Sequence, residues 1–439
     1  MGLNNMNAKK KTAVSQTAKP QALSGLSDII PGQDNYWDFV SSHLQRIARG
    51  YGFNKIEMPL LENVSLYAQT EFAENSEAVD FVDSSATKVA VRAASMPSLM
   101  RAFYEYKVPE GHKLSKWYYL SPVLSYDQKQ KQYISSWQYG FEMFGEFSPL
   151  NEVQMVSLLW KFFKSIGLEN ITLEVSSLGD EACRGEYEEA LATYLQSKKY
   201  ELCNDCVAAI EEFPMQVFRC SNLECKTVAT DAPQAVDFLD TACHKHLTNV
   251  LEGLDELGIM YSLNPMLVGK KGTTKTTFAF KHTETTETGT IERFLGEGAY
   301  HDQIYKELTG KNVVCFGFHS NIESLQKAVK EQKQEHIESL AAAKAEVFLA
   351  PLGDLASKKA IKLFSELWDA QVSVHDHFGG EGVKNQLKLA EGSKAMIALI
   401  IGQKEAMDDM VILRDVKSGM QEVFRYDQII DEVKKRLGK

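Results

Sequence analysis

The sequence predicts an α+β protein in two folding units. The first is a long unit of aromatic strands and amphipathic helices broken by a helical insertion, and the second is a short α/β unit at the carboxyl end. Three observations carry this: two aromatic, β-favouring runs around residues 116–147, helical patterning from about 181 to 250, and strand–helix alternation beyond residue 345. A chain of 439 residues is long enough for two or three separate cores.

Each element has a local cause. Residues 1–20 are polar, lysine-bearing and aperiodic, which fits a disordered tail or a basic arm reaching RNA. Order is expected from Leu23: a turn at Ser27-Asp28 and Pro31 precede a helix whose Trp37, Val40, Leu44 and Ile47 share a face. NKIEMPLLE reads as a strand, and Pro59 confines it to an edge or an interface because proline offers no amide proton to a central ladder. KWYYLSPVLSY and SSWQYGFEMFGEF flank the polar DQKQKQ as a hairpin with a long tip. NEVQMVSLLWKFFKSIGL has helical spacing and ITLEVSSLG reads as a strand, after which the insertion begins. Residues 331–344 read as a polar helix or linker. From 345 to 439, AEVFLAPLG, SKKAIKLFSELWDA, VSVHDHF, KNQLKLAEG, AMIALIIG and MVILRDV alternate as expected for a mainly parallel sheet.

Composition narrows the function. A hydrophobic share of 44% and a charged share of 24% fit a soluble protein, and no apolar run approaches the roughly 18 residues of a membrane span. The amino-terminal lysines are not followed by the apolar stretch of a secretory signal, so a cytoplasmic location and no membrane partner are expected. A net charge of −11 excludes a surface that is basic throughout, so any RNA contact is local. Seven cysteines without an export signal argue against a disulfide framework. Cys203 and Cys206 form C-x-x-C, and Cys220 and Cys225 follow as C-x-x-x-x-C; such spacing suits a tetrahedral zinc site or a set of unmetallated buried thiols. His244 and His246 read as surface residues of a helix.

In this order the segments resemble the class II histidine–tRNA synthetases over nearly the whole chain after residue 20. GLSDIIPG, from Gly25, is similar to the family's G-x-x-D-x-x-P opening, GYGFNKIEMPLLE to its first class II motif, Trp117–Gly145 to motif 2, and DAPQAVDFLD to part of its insertion. The resemblance implies a class II aminoacyl-tRNA synthetase catalytic domain over residues 21–330, with an antiparallel sheet and an insertion at about 181–250, followed by an anticodon-binding domain. It also implies a homodimer with Pro59 at the interface, tRNA as partner, and ATP with magnesium as long as the chain is active.

Adenylate formation brings a carboxylate against the α-phosphate of ATP, so two anions and the added charge of the transition state need fixed cations. Arginine suits this because its guanidinium stays charged and grips phosphate with paired donors. The resemblance assigns this work to arginines in motif 2, in a histidine-specific loop and in motif 3. The motif 2 arginine position holds Ser125 in Pro122-Val123-Leu124-Ser125-Tyr126-Asp127-Gln128. The loop L-V-R-G-L-D-Y-Y appears as LVGKKGTT with Gly269 at the arginine, and motif 3 appears as GFHSNIES with Ser324 at the arginine and Glu323 kept. The family's R-P-E-G-T appears as Arg92-Ala93-Ala94-Ser95-Met96, and its G-G-R-Y-D near GEGAYHD with Ala299 at the arginine, whereas Gln138 and Glu142 match residues of its histidine pocket. The substrate-binding remnant is therefore Arg92, Gln138, Glu142 and Glu323. Lys129, Lys131, Lys270, Lys271 and Lys275 are the cations that would have to compensate. Lys384, Gln386 and Lys388 stand where the family's carboxyl-terminal domain approaches RNA, though such residues are ordinary on a solvated helix face.

These readings lead to a homodimeric pseudo-synthetase that binds tRNA or a protein partner. The alternatives are a divergent working ligase and a regulatory subunit that senses histidine or nucleotide; retention of the carboxyl-terminal domain speaks against the latter.

Overall fold

The computed structural model of the chain describes residues 20–31, 35–68, 78–106, 114–128, 130–146, 148–286, 289–329, 346–378, 382–393 and 395–439. The expected tail, apart from its last residue, and the linker 331–344 lie outside the described residues. The chain divides into two compact units, Met1–Ile337 and Glu338–Lys439.

The first unit is built on an eight-stranded sheet. Its spatial order is Asn54–Lys55, Leu114–Asp127, Gln132–Gly145, Cys315–Asn321, Gly289–Tyr300, Thr274–Thr286, Ile171–Ser177 and Tyr261–Leu263. The six inner strands are antiparallel to one another, and the two edge strands pair in parallel. The aromatic hairpin runs in register from Leu114 opposite Gly145 to Asp127 opposite Gln132, so its alternation sends Tyr118, Tyr139, Phe141 and Met143 into the core. From the helix Pro149–Ser165, Phe162 meets Tyr139 and Phe163 meets Phe280 and Phe318 of the strands, all fully buried. Each such phenylalanine contributes roughly 1.5–3 kcal/mol by leaving water. That helix starts where Ser148 and Asn151 form a reciprocal capping box ahead of a proline at its first position.

The first helix, Asn35–Gly50, buries Tyr36, Val40, Leu44 and Ala48 along one i,i+4 ridge, and Trp37 and Ile47 lie half-buried at its margins. Its buried face is thus rotated slightly from the expected one, because Trp37 turns edge-on to Trp137 at 4.4 Å. Ahead of it, Gly25 adopts φ +86° with the Tyr133 carbonyl only 2.0 Å from where a Cβ would stand, so glycine alone lets this segment lie on the hairpin. NKIEMPLLE is not one strand. It breaks into Asn54–Lys55 on the main sheet and Leu61–Asn63 on a three-stranded sheet with Lys88–Val91 and Asp80–Val82, and Pro59 is exposed between them.

The insertion is helical, as expected, from Glu181–Ser197 through Thr241–Glu256. It has its own core of Tyr187, Leu191, Leu195, Cys206, Met215, Cys225 and Val228, which also takes in Val268 from the loop after the insertion.

The second unit has a five-stranded sheet in the order Val374–Asp376, Val347–Pro351, Ile397–Ile401, Met410–Asp415, Gln421–Arg425. Its first three strands are parallel and its last two antiparallel, so the sheet is mixed rather than mainly parallel. The difference begins at Met410–Asp415, which the short connection after Ile401 returns antiparallel, and continues in Gln421–Arg425, a largely exposed edge strand whose sequence shows no burial alternation. It is folded back by a turn in which the Asp415 carboxylate accepts from the Ser418 amide. Among the described residues no helix is long and apolar enough to cross a membrane.

Candidate functional site

Register across the main sheet places the polar residues of the site on adjoining rungs. Glu142 lies opposite Gly317, Gly317 opposite Ala299, Ala299 opposite Thr277, and Glu297 opposite His319. Glu142 is 3% exposed, and its Oε1 meets Nδ1 of buried His301 at 3.0 Å. Burial pushes the Glu142 carboxyl above its ordinary pKa, with His301 pulling the other way. A Cβ on residue 317 would stand 1.7 Å from Glu142 Oε2, so glycine is what lets the carboxylate lie across the strand. His319 Nε2 is 3.7 Å from Glu297. Burial, reinforced by Lys270, His301 and Arg219, holds His319 neutral, well below the usual histidine pKa.

Between these residues and the loop beginning at Leu267 lies a cavity of about 10 Å³, lined among others by Met96, Gly269, Lys270, Ala299, His301 and His319. That is room for about one water. The loop itself closes the space. Thr273 folds back through its amide and hydroxyl onto the Lys270 carbonyl at 3.1 and 2.8 Å. Its Oγ1 then sits 2.2 Å from where a Cβ on Gly269 would be.

The structure separates the residues expected as substrate remnants. Glu142 reaches the cavity wall through His301. Arg92 does not serve the site: it is 2% exposed and donates to the carbonyls of Met58 and Pro59 at 2.7 Å each and of Pro122 at 3.1 and 2.8 Å. Its guanidinium staples three chain segments, because an isolated buried charge would otherwise go unsatisfied. Gln138 Oε1 accepts from the Ser95 amide at 2.9 Å and Glu323 Oε1 from the Trp137 amide at 3.1 Å, so both hold backbone. Ser125 pairs with Ile134 in the hairpin and bridges Ala78, and Ser324 is half-buried after the strand Cys315–Asn321.

The compensating lysines are dispersed. Lys271 is 3.7 Å from Glu212, Lys275 lies 5.3 Å over the Tyr300 ring, Lys131 is exposed at the hairpin tip, and Lys129 is outside the described residues. Lys270 lines the cavity. Sequence reasoning missed Arg219, whose Nη1 reaches the Val268 carbonyl at 3.3 Å and Glu297 at 3.6 Å, and it also missed His301. Arg219 belongs to no recognised motif, though it sits directly before Cys220; His301 lies within GEGAYHD, where the sequence reading takes up only the Ala299 position.

The insertion brings Cys203, Cys206, Cys220 and Cys225 together, their sulfurs all within 4.8 Å of one another. His244 is exposed, while His246 is half-buried and bonds Glu152 at 2.7 Å, so it is not a plain surface residue. A second group, Asp180, Cys183 and Cys243, was not foreseen; its two sulfurs lie 3.7 Å apart.

In the second unit, the helix Val383–Gly392 exposes Lys384 and Lys388 one turn apart. Gln386, expected at an RNA surface, is instead 1% exposed and donates to the His377 carbonyl at 2.7 Å. An i,i+2 step on a helix turns the side chain to the opposite face. Lys388 borders an open cleft of about 910 Å³ with His375, His377, Asn385 and Ser393.

An antiparallel sheet with these helices, followed by the mixed five-stranded unit, defines a class II aminoacyl-tRNA synthetase catalytic domain with an anticodon-binding domain. The family model for histidyl-tRNA synthetase matches residues 25–325, and that for the anticodon binding domain matches residues 346–436. Histidine–tRNA ligase of Syntrophotalea carbinolica is 31% identical over 91% of this chain and 94% of its own length, and that of Dehalococcoides mccartyi strain 195 is 29% identical over 95% and 100%. Apo histidyl-tRNA synthetase of S. aureus superposes with a TM-score of 0.80 at 24% identity, covering 95% of this chain and all of that one. The chain belongs to the histidyl-tRNA synthetase family.

Proposed function

We propose that this chain is a homodimeric pseudo-synthetase that binds tRNA and no longer makes histidyl-adenylate efficiently. The observation that carries the reading is the closed loop at Gly269: with Thr273 folded onto Lys270, the neighbouring cavity holds about a water and not an imidazole-bearing amino acid. The positions expected to carry guanidinium groups hold Ser125, Gly269 and Ser324, and Arg219 faces Glu297 of the cavity lining without lining the cavity itself. Loss of one preorganised donor costs about 2.7–4 kcal/mol of transition-state stabilisation in comparable sites, so three such losses remove most of the rate even without additivity. Exposed Lys388 at an open cleft, with exposed Lys384 one turn away on the same helix, supports local RNA contact on an otherwise acidic protein. Exposed Leu60, Leu61, Phe81 and Val82, which accompany Pro59, support a self-association surface.

The second reading, a working ligase, is favoured by the near-complete coverage of relatives named histidine–tRNA ligase. One experiment separates the two: histidine-dependent ATP–pyrophosphate exchange measured beside tRNA binding over a salt series. Weak exchange with salt-sensitive tRNA binding is expected; robust exchange overturns the pseudo-synthetase reading.

A further inference from the structure

We propose that Cys203, Cys206, Cys220 and Cys225 bind one Zn²⁺ as a closed four-thiolate site, and that this ion fixes Arg219 against the loop that seals the cavity. Such a site holds its metal whether or not the chain is active.

The fold assembles the ligands from three short elements. Cys203 caps the helix Asn204–Ala209, and Cys206 lies in its first turn. Cys220 ends Gln216–Arg219, and Cys225 lies in the first turn of Leu223–Thr230, whose start is capped by Asn222. A tetrahedral zinc with sulfurs at about 2.3 Å places them about 3.8 Å apart. Cys203 and Cys220 stand 3.8 Å apart, and all four sulfurs are mutually within 4.8 Å. Every cysteine in the chain is a free thiol, so these are not divided into disulfides.

Two backbone amides already point at sulfur: Cys203 N–H donates to Cys225 at 3.2 Å, and Asn222 N–H to Cys220 at 3.4 Å. Such donors favour the thiolate that a metal requires. Cys206 and Cys225 are buried within the insertion's own core, which suits a closed structural site without an open position for substrate. Binding displaces thiol protons to solvent while the sulfurs keep their electron pairs for the metal, so no oxidant or reductant is needed.

The consequence reaches the cavity through one residue. Arg219 precedes ligand Cys220 and contacts the Val268 carbonyl and Glu297, and the Val268 side chain packs into the same core as Cys206 and Cys225. Fixing Cys220 therefore fixes the arginine that pins residues 268–269.

The test uses full-length protein purified without a metal-binding tag. Elemental analysis is expected to give about one zinc per chain, and exchange to Co²⁺ to give the intense visible bands and thiolate charge transfer of a tetrahedral sulfur site. Cys220→Ser should lose the cobalt signature, whereas Cys183→Ser, in the other cysteine group, should keep it. Hydrogen exchange of residues 267–270 should speed up at least severalfold when zinc is stripped and recover when zinc is returned. Substoichiometric zinc with all seven thiols reactive, a Cys203–Cys220 disulfide, or bound iron in place of zinc would each overturn the site. Full zinc occupancy with unchanged exchange at 267–270 would overturn the link to Arg219.

Discussion

The candidate ligand sites of the two units differ in kind, although the first unit also carries an open cleft of about 480 Å³ lined by Asp180, Lys275, Asp302 and Lys306. In the first, the sheet's polar rungs surround about 10 Å³; in the second, the helix bearing Lys384 and Lys388 borders about 910 Å³ of open cleft. In the first, charged groups are consumed internally, Glu142 by His301, Arg219 by Glu297 and the Val268 carbonyl, and Arg92 by three carbonyls. In the second, the lysines face water. The contrast teaches that charge inside a scaffold of this kind is not the same as charge available to a ligand, because desolvated groups must be satisfied by the protein first.

The largest test of this contrast is Arg92. If its guanidinium belongs to the scaffold, Arg92→Ala strands one buried and two part-buried carbonyls and lowers stability by about 2–3 kcal/mol, read from urea or thermal unfolding of the first unit. A loss below about 1 kcal/mol would return Arg92 to the groups held for a ligand.

Next is the sealed loop. Gly269→Arg must displace Thr273, whose Oγ1 and Cβ lie 2.2 and 2.8 Å from the new Cβ. It should cost about 1–3 kcal/mol by overpacking. Pairing it with Thr273→Gly should recover part of that loss, and neither variant should regain robust histidine-dependent pyrophosphate exchange, since positions 125 and 324 remain serine. Full exchange from the single substitution would show the cavity to be open after all.

A third test is pH. His319 is held neutral in the folded chain, so below about pH 6.5 the unfolded chain takes up a proton that the folded one refuses. Stability is therefore complete above the unfolded pKa and falls as pH drops below it, by at most about 1.4 kcal/mol per pH unit for this one group. His319→Gln should flatten the slope between about pH 6.5 and 5; an unchanged slope would mean that His319 is not the group that sets it.

Much of the fold is legible in the sequence. The aromatic hairpin, the insertion, the amphipathic first helix and the carboxyl-terminal alternation follow from local periodicity, which the structure keeps. Periodicity does not report partners distant in the chain. Arg92 reads as a site residue until Met58, Pro59 and Pro122 are seen around it, and Gln386 reads as an RNA contact until helix geometry turns it inward beneath His377. Arg219 carries no local pattern, His301 lies in a motif segment that assigns it no role, and both acquire meaning from strands and helices folded over them. The cysteines are the exception: their spacing alone points to convergence, and the structure gathers all four.

The smallest effect separates Gln386 from its neighbours. Lys384→Glu and Lys388→Glu remove exposed charge from the helix that borders the cleft, so tRNA affinity should fall and the slope of log affinity against log salt should become shallower by about 0.7–0.9 for each phosphate left without its lysine. Gln386→Ala removes no charge but deletes the donor to the His377 carbonyl, so it should soften the second unit by about 1 kcal/mol and leave the salt slope unchanged. Filter binding or anisotropy over a salt series, beside a melt of the same samples, reads both quantities. Should the lysine variants leave the slope unaltered while Gln386→Ala changes it, the open cleft is not the RNA surface, and the contrast between the two units loses its functional half.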